Sequence, residues 1–320
     1  MLKEYAVNPT VMGQSWLQFR YLLDSFGFER GRLMSKIPQN WETQVIQAAE
    51  EASIGDRDLA RIIERLQAAK LQKALLKQTV VYDDKKSWID NALAHRPKNP
   101  LQAILNDDNV SGQEYVITTD DIDEEHPLWT ITRDWEVPRS ARELADGMKP
   151  LILAAKQIWI IDPYFNFTPG TGHFVETLTE ILKDIAEAAN PPIQFQIHYK
   201  THPKRRTMEA MKEIVARRLA GIIPSGMHLE LFEWDTDNHS DAFHDRHLLG
   251  DCGGLTIGHG FDAAGSHQKA LFQLNSDEII QTLKAKFSEE TSPFRLAQPI
   301  LSISSNGDTS LASPKAFIAG

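Results

Sequence analysis

The stretch FHDRHLLGDCGGLTIGHGFD, Phe243 to Asp262, decides how this chain is read. His244 is followed two residues on by a cation, Arg246; Asp251 lies five beyond that cation, and Gly258 follows after six intervening residues. RHLLGD and LTIGHGF read as two adjoining strands. Strand side chains alternate between faces, so His244 and Arg246 are expected to point one way and Asp245 and His247 the other. That pairing suits phosphoryl chemistry. A phosphodiester is anionic and resists attack, so a positioned neutral imidazole can serve as nucleophile while a cation neutralises the phosphoryl oxygens.

The spacing resembles the signature of the phospholipase D-like superfamily, the HKD phosphodiesterases: His-x-Lys, four residues, Asp, six residues, Gly-Ser-x-Asn. His244, Asp251 and Gly258 are of the family type; Arg246 stands for Lys, His259 for Ser and Phe261 for Asn. The resemblance implies a layered α/β fold and a phosphohistidine intermediate, with a second histidine protonating the leaving oxygen and neither metal nor other cofactor. By carry-over, His244 is nucleophile or acid, Arg246 the phosphate clamp and Asp251 a supporting carboxylate. Arginine can clamp bidentately, although it is broader and flatter than lysine. In the family, residues after the glycine also hold phosphate. His259 can still donate a hydrogen bond there, whereas the Phe261 side chain cannot. Only one copy of the signature is present, so the resemblance implies a homodimer with two His244 side chains meeting at a twofold interface.

With 320 residues the chain is expected to form two domains. Its 42% hydrophobic and 24% charged content is that of a soluble globular protein. A net charge of −10 gives no general attraction to nucleic acid or anionic membrane, so a polyanion site must be a local patch. One cysteine, Cys252, cannot form an internal disulfide and fits a reducing compartment. MLKEYAVNP lacks the layout of a signal peptide, and LILAAKQIWII, broken by Lys156 and Gln157, is too short to span a bilayer. A cytoplasmic protein without a membrane partner is the expectation.

Residues 1–138 read as a mainly α-helical domain for partner recognition or dimerisation. Ser15 caps a helix running to Phe28, with Trp16, Phe19, Leu22, Leu23 and Phe26 at helical spacing, and a second helix starts near Trp41. Arg57 to Gln78, with Leu59, Ile62, Ile63, Leu66, Leu71, Leu75 and Leu76 at threes and fours, reads as one long helix. KKSWIDNALAHRPKN adds another, with His95 and Arg96 as a surface pair. Tyr115 to Thr118 and Leu128 to Thr132 read as short β-runs, and the acidic cluster Asp120 to Glu125 as a solvated loop rather than a calcium site.

Residues 139–295 read as the phospholipase D-like domain, opened by the helix ARELADGMKPLILAA. Strand and helix patterns then alternate. QIWIIDPYF is a buried strand whose end delivers Asp162, Tyr164 and Asn166; IQFQIHY and MHLELFEW follow, with helices at His173 to Asn190 and after THPKRR. ALFQL is a further strand, and SDEIIQTLKAKFSEE is a closing helix capped by Ser276. The element order is also similar to one phospholipase D-like repeat. Residues 296–320 read as an extended tail.

HYKTHPKRR is the main basic concentration of an acidic chain. Lys200, His202, Lys204, Arg205 and Arg206 fall where a strand ends, the place where α/β proteins collect ligands, and are candidates to guide a phosphate backbone. His239 is a candidate auxiliary proton donor. Together these features predict a phosphodiesterase, in particular a nuclease, with its site shared across a homodimer. The competing expectation is an inactive phospholipase D-like module that binds nucleic acid or a protein partner, for example in a bacterial defence system.

Overall fold

The structure, a computed structural model, describes residues 2–68, 74–77, 81–97, 101–109, 112–123, 125–188, 192–236 and 243–313. The chain divides into two compact units, Met1–Arg133 and Asp134–Gly320. No helix among the described residues is long and apolar enough to cross a membrane.

The first unit is built on five parallel strands: β1 (Lys3–Val7), β2 (Arg32–Lys36), β3 (Leu75–Lys77), β4 (Ala103–Leu105) and β5 (Val116–Ile117), in the order β3-β2-β1-β4-β5. A mainly helical domain is therefore corrected to an α/β one. Its strands are two to five residues long and buried on both faces. Tyr5 and Val7 pack with Phe19, Trp41 and Trp129, while Ala6 packs on the opposite side with Ala92 and Ile104. Such strands show no polar–apolar alternation, so nothing in their pattern separates them from helix.

The helices around Trp16–Ser25, Trp41–Glu51 and Trp88–His95 lie where periodicity places them. Ser15 and Ser87 accept hydrogen bonds from the backbone N–H groups of Gln18 and Asp90, caps worth about 1 kcal/mol each. The long helix from Arg57 is shorter than expected: it spans Asp56–Gln67, and Leu75–Lys77 forms β3. Leu71 lies outside the described residues. Leu128 to Thr132 is turn rather than strand, pinned by Arg32, whose guanidinium donates to the Trp129 carbonyl at 2.7 Å. His95 is 2% exposed and not part of a surface pair.

The second unit begins at β6 (Asp134–Pro138), five residues before the expected boundary, because this strand pairs antiparallel with β12. Its sheet contains β7 (Gln157–Ile161), β8 (Gln194–Lys200), β9 (His228–Asp235), β10 (His247–Gly250), β11 (Gly254–Ile257), β12 (Lys269–Leu274), β13 (Arg295–Leu296), β14 (Ile300–Ser304) and β15 (Thr309–Ala312). The order is β15-β14-β9-β8-β7-β10-β11-β12-β6, with β13 also paired to β9. Strands β7, β8 and β9 are parallel, joined by the helices Phe174–Ala186 and Met208–Leu219. β10 and β11 form an antiparallel pair beside β7. Residues 296–313 are not a loose tail. β14 pairs with β9 and buries Ile300, Leu301 and Ile303.

One consequence of this topology governs the site. The ends of β7, β8, β9, β11 and β6 and the starts of β10 and β12 all fall on the same edge of the sheet. Carboxyl-terminal edges of parallel strands are where α/β folds collect ligands.

Candidate functional site

The edge is organised by Asp162, the residue after β7. Its carboxylate is 1% exposed and accepts hydrogen bonds from the Tyr164 N–H at 2.9 Å and the Phe261 N–H at 3.1 Å. It thus ties the loop after β7 to the loop after β11. Burial pushes its pKa up to about 6, against the opposing pull of those two backbone donors and of the nearby Arg246 charge. Gly260 makes the approach possible. Its φ of +69° suits glycine, and a Cβ there would lie 2.3 Å from Asp162 Oδ2 and 2.9 Å from Arg246 Cγ.

Arg246 sits just before β10, its carbonyl accepting from the Ile257 N–H at 2.8 Å. Its guanidinium carbon lies 4.9 Å from the centroid of the Tyr164 ring. No described residue makes a hydrogen bond or ion pair with that guanidinium, so its N–H donors are unspent among the described residues. Beside it, His244 is exposed, and His259 is exposed on the loop after β11. Lys200 is half-buried at the end of β8; His202, Lys204 and Arg206 are exposed on the loop that follows. The topology therefore gathers His244, Arg246, His259 and this basic loop at one edge. Together they can hold an anion.

Three expectations change. His244 and Arg246 do not lie on a strand: β10 starts at His247, and His244 reaches the edge from a loop. Asp251 is remote from the edge, because β10 runs away from it. Five residues at about 3.4 Å per residue put it some 17 Å from Arg246. Its Oδ1 accepts from the Lys156 N–H at 2.8 Å and holds the turn into β7, so its work is structural. Arg205 does not face phosphate either. Its guanidinium lies 4.3 Å from the Tyr199 ring and donates to the Phe165 carbonyl at 2.5 Å, and burial lowers its pKa. Phe261, where the resemblance has a polar residue, is fully buried and contributes only its backbone N–H to the edge. His239 lies outside the described residues.

Sequence reasoning missed Gly260 and the role of Asp162. The signals were there: a second glycine two residues after Gly258, and a carboxylate ending an apolar run. Neither says that the two would touch across 97 intervening positions of chain.

Two buried histidines lie nearby. His198 on β8 is fully buried between Trp159 and Phe232, accepts from Trp234 Nε1–H at 3.1 Å, and is pushed by burial down to about 3. Its Nε2 has no hydrogen-bond partner among the described residues. His247 opens β10 with Nδ1 3.1 Å from Thr256 Oγ1, whose proton goes to Asn275 Oδ1; burial lowers it to about 4. Both are neutral at pH 7.

No protein-family model and no curated protein matches the chain. Among solved structures, it is similar to TrmBL2, an archaeal chromatin protein described as showing a novel mode of DNA binding. The TM-score is 0.26 at 16% identity, covering 50% of this chain and 52% of that one. The match thus spans about half that protein's length.

Proposed function

We propose that the second unit is a phosphodiesterase acting on nucleic acid. The observation that carries this reading is the Arg246 guanidinium, over the Tyr164 ring and without a hydrogen bond or ion pair among the described residues, at the sheet edge that also carries the exposed His244. Arg246 clamps two phosphoryl oxygens through its parallel N–H donors. His244 attacks phosphorus as neutral imidazole, forming an N–P bond as the P–O bond to the leaving group breaks. His244 of a second copy gives its proton to the leaving oxygen, and water then releases the phosphoryl group from the first imidazole. The basic loop at Lys200, His202, Lys204 and Arg206 tracks the backbone on either side.

A second reading draws on Phe261. With that side chain in the core, the edge has fewer phosphate donors than the signature it resembles, which favours an inactive module that binds nucleic acid or a protein partner through the same edge. One experiment separates the two. Purified protein is incubated with labelled single- and double-stranded DNA, RNA and bis-p-nitrophenyl phosphate in EDTA. Hydrolysis that survives EDTA and disappears in H244A supports the enzyme. Binding without turnover in both parent and H244A supports the module. Sedimentation equilibrium tests the dimer; a monomer that still hydrolyses substrate contradicts the shared site.

A further inference from the structure

Tyr164 is an exposed aromatic side chain on a rigid loop. The residue is 54% exposed, and among the described residues of the second unit no other aromatic side chain is exposed to this degree. It is flanked by the buried Pro163 and the fully buried Phe165, so the chain on either side is anchored in the core. The loop is also tied by hydrogen bonds. Asp162 Oδ1 accepts from the Tyr164 N–H, the Asp162 carbonyl from the Phe165 N–H at 3.1 Å, and the Pro163 carbonyl from the Lys200 N–H at 3.3 Å. Arg205 donates to the Phe165 carbonyl, and Arg218 to the Phe167 carbonyl at 3.0 Å. Holding an aromatic ring open to water on so constrained a loop forgoes the burial that its neighbours enjoy. A ring fixed in this way is suited to stacking against a flat ligand.

We propose that Tyr164 is a base-stacking platform, making single-stranded nucleic acid the ligand class of this edge. The proposal rests on the phosphodiester reading above and specifies it. The Arg246 guanidinium carbon lies over the ring, 4.9 Å from its centroid, and the residue stays 54% exposed beside it. A phosphate clamped by Arg246 places the adjoining nucleotide beside this exposed ring. Base–aromatic stacking tolerates any base, because every base has a π-face, so the platform selects for unpaired strands rather than for sequence. A duplex offers no unstacked base to it.

The test compares two labelled ten-residue strands at low salt, oligo-dT and the same backbone with abasic residues, on parent, Y164A and Y164F. Stacking predicts that the parent binds oligo-dT about tenfold or more tightly than the abasic strand, that Y164F keeps this ratio, and that Y164A reduces it to about one. A purely structural role for Tyr164 would weaken both strands equally and leave the ratio unchanged. Equal binding of the two strands by the parent overturns the platform while leaving the phosphodiester reading intact. Failure of the parent to bind either strand overturns the phosphodiester reading itself, and the platform with it.

Discussion

The Arg246 guanidinium carbon lies over the Tyr164 ring, 4.9 Å from its centroid, and Asp162 fixes the backbone of the loop that carries the ring by accepting the Tyr164 N–H. A stacked guanidinium keeps its in-plane N–H donors free, which a lysine ammonium in the same place would not reproduce. R246K is therefore expected to bind a phosphodiester oligonucleotide about tenfold more weakly, and R246A more weakly still. Fluorescence anisotropy would read this directly, and unchanged affinity in R246A would contradict the clamp.

Asp251 belongs to the signature by spacing, yet it serves the opposite edge of the sheet. D251A removes the acceptor for the Lys156 N–H and should cost about 1–2 kcal/mol of stability in urea titration. Phosphodiester binding or hydrolysis per folded molecule should be unaffected. A large loss of either, with stability intact, would return Asp251 to the site.

The two glycines of GHG should respond in opposite ways. Gly258 has space: an added Cβ would meet Leu271 at 3.5 Å or more, so G258A should fold with little loss. Gly260 combines positive φ with the Asp162 carboxylate at 2.3 Å from the added Cβ. G260A is expected to lose on the order of 2–4 kcal/mol and to weaken phosphate binding as the two loops part. Equal tolerance at both positions would refute the close packing described at this edge.

Asp162 links the edge to pH. Its folded pKa, about 6, lies above the ordinary 3.8, so the folded state binds more protons than the unfolded one between those values. Its contribution to stability is therefore present in full below about pH 4 and is lost as pH rises through 6, by on the order of 3 kcal/mol in all. D162N abolishes this titration. The stability difference, parent minus D162N, should fall between pH 4 and 7 in parallel urea titrations; a constant difference would show that Asp162 does not titrate in this window.

His198 has the opposite sign. Held neutral to about pH 3 while the unfolded chain takes up a proton near 6.5, it contributes stability that is present above 6.5 and lost as pH falls, about 1.4 kcal/mol per pH unit. H198F keeps the aromatic packing and removes the titration. Its cost at pH 7 is about 1–3 kcal/mol, because the buried Trp234 N–H loses its acceptor. Stability of H198F should then fall less steeply with acid than that of the parent, and an unchanged slope would count against a buried neutral His198.

Local chemistry was legible where local rules operate. The serines at 15 and 276 mark helix starts because their side chains satisfy backbone donors three residues on. QIWII, QFQIHY and HLELFEW stand out as strands because each is a long, mostly apolar run. The spacing from His244 to Gly258 brought out the stretch that the second unit places at its carboxyl edge. Of the first unit's strands, only β5 lies in a run that reads as strand, Tyr115 to Thr118; three-residue segments such as Leu75–Lys77 and Ala103–Leu105 have no period of their own, and the tail was misread because β14 becomes a strand only by pairing with β9.

The sequence alone therefore singled out the candidate residues: an imidazole and a guanidinium two apart, and a basic run after a strand. Only the tertiary structure decided which of them meet. Strand direction sends Asp251 to the far edge and brings Asp162 and Gly260 into contact, while burial turns Arg205 and Phe261 inward. Those outcomes depend on pairing between distant segments, whose energies no local window of sequence contains.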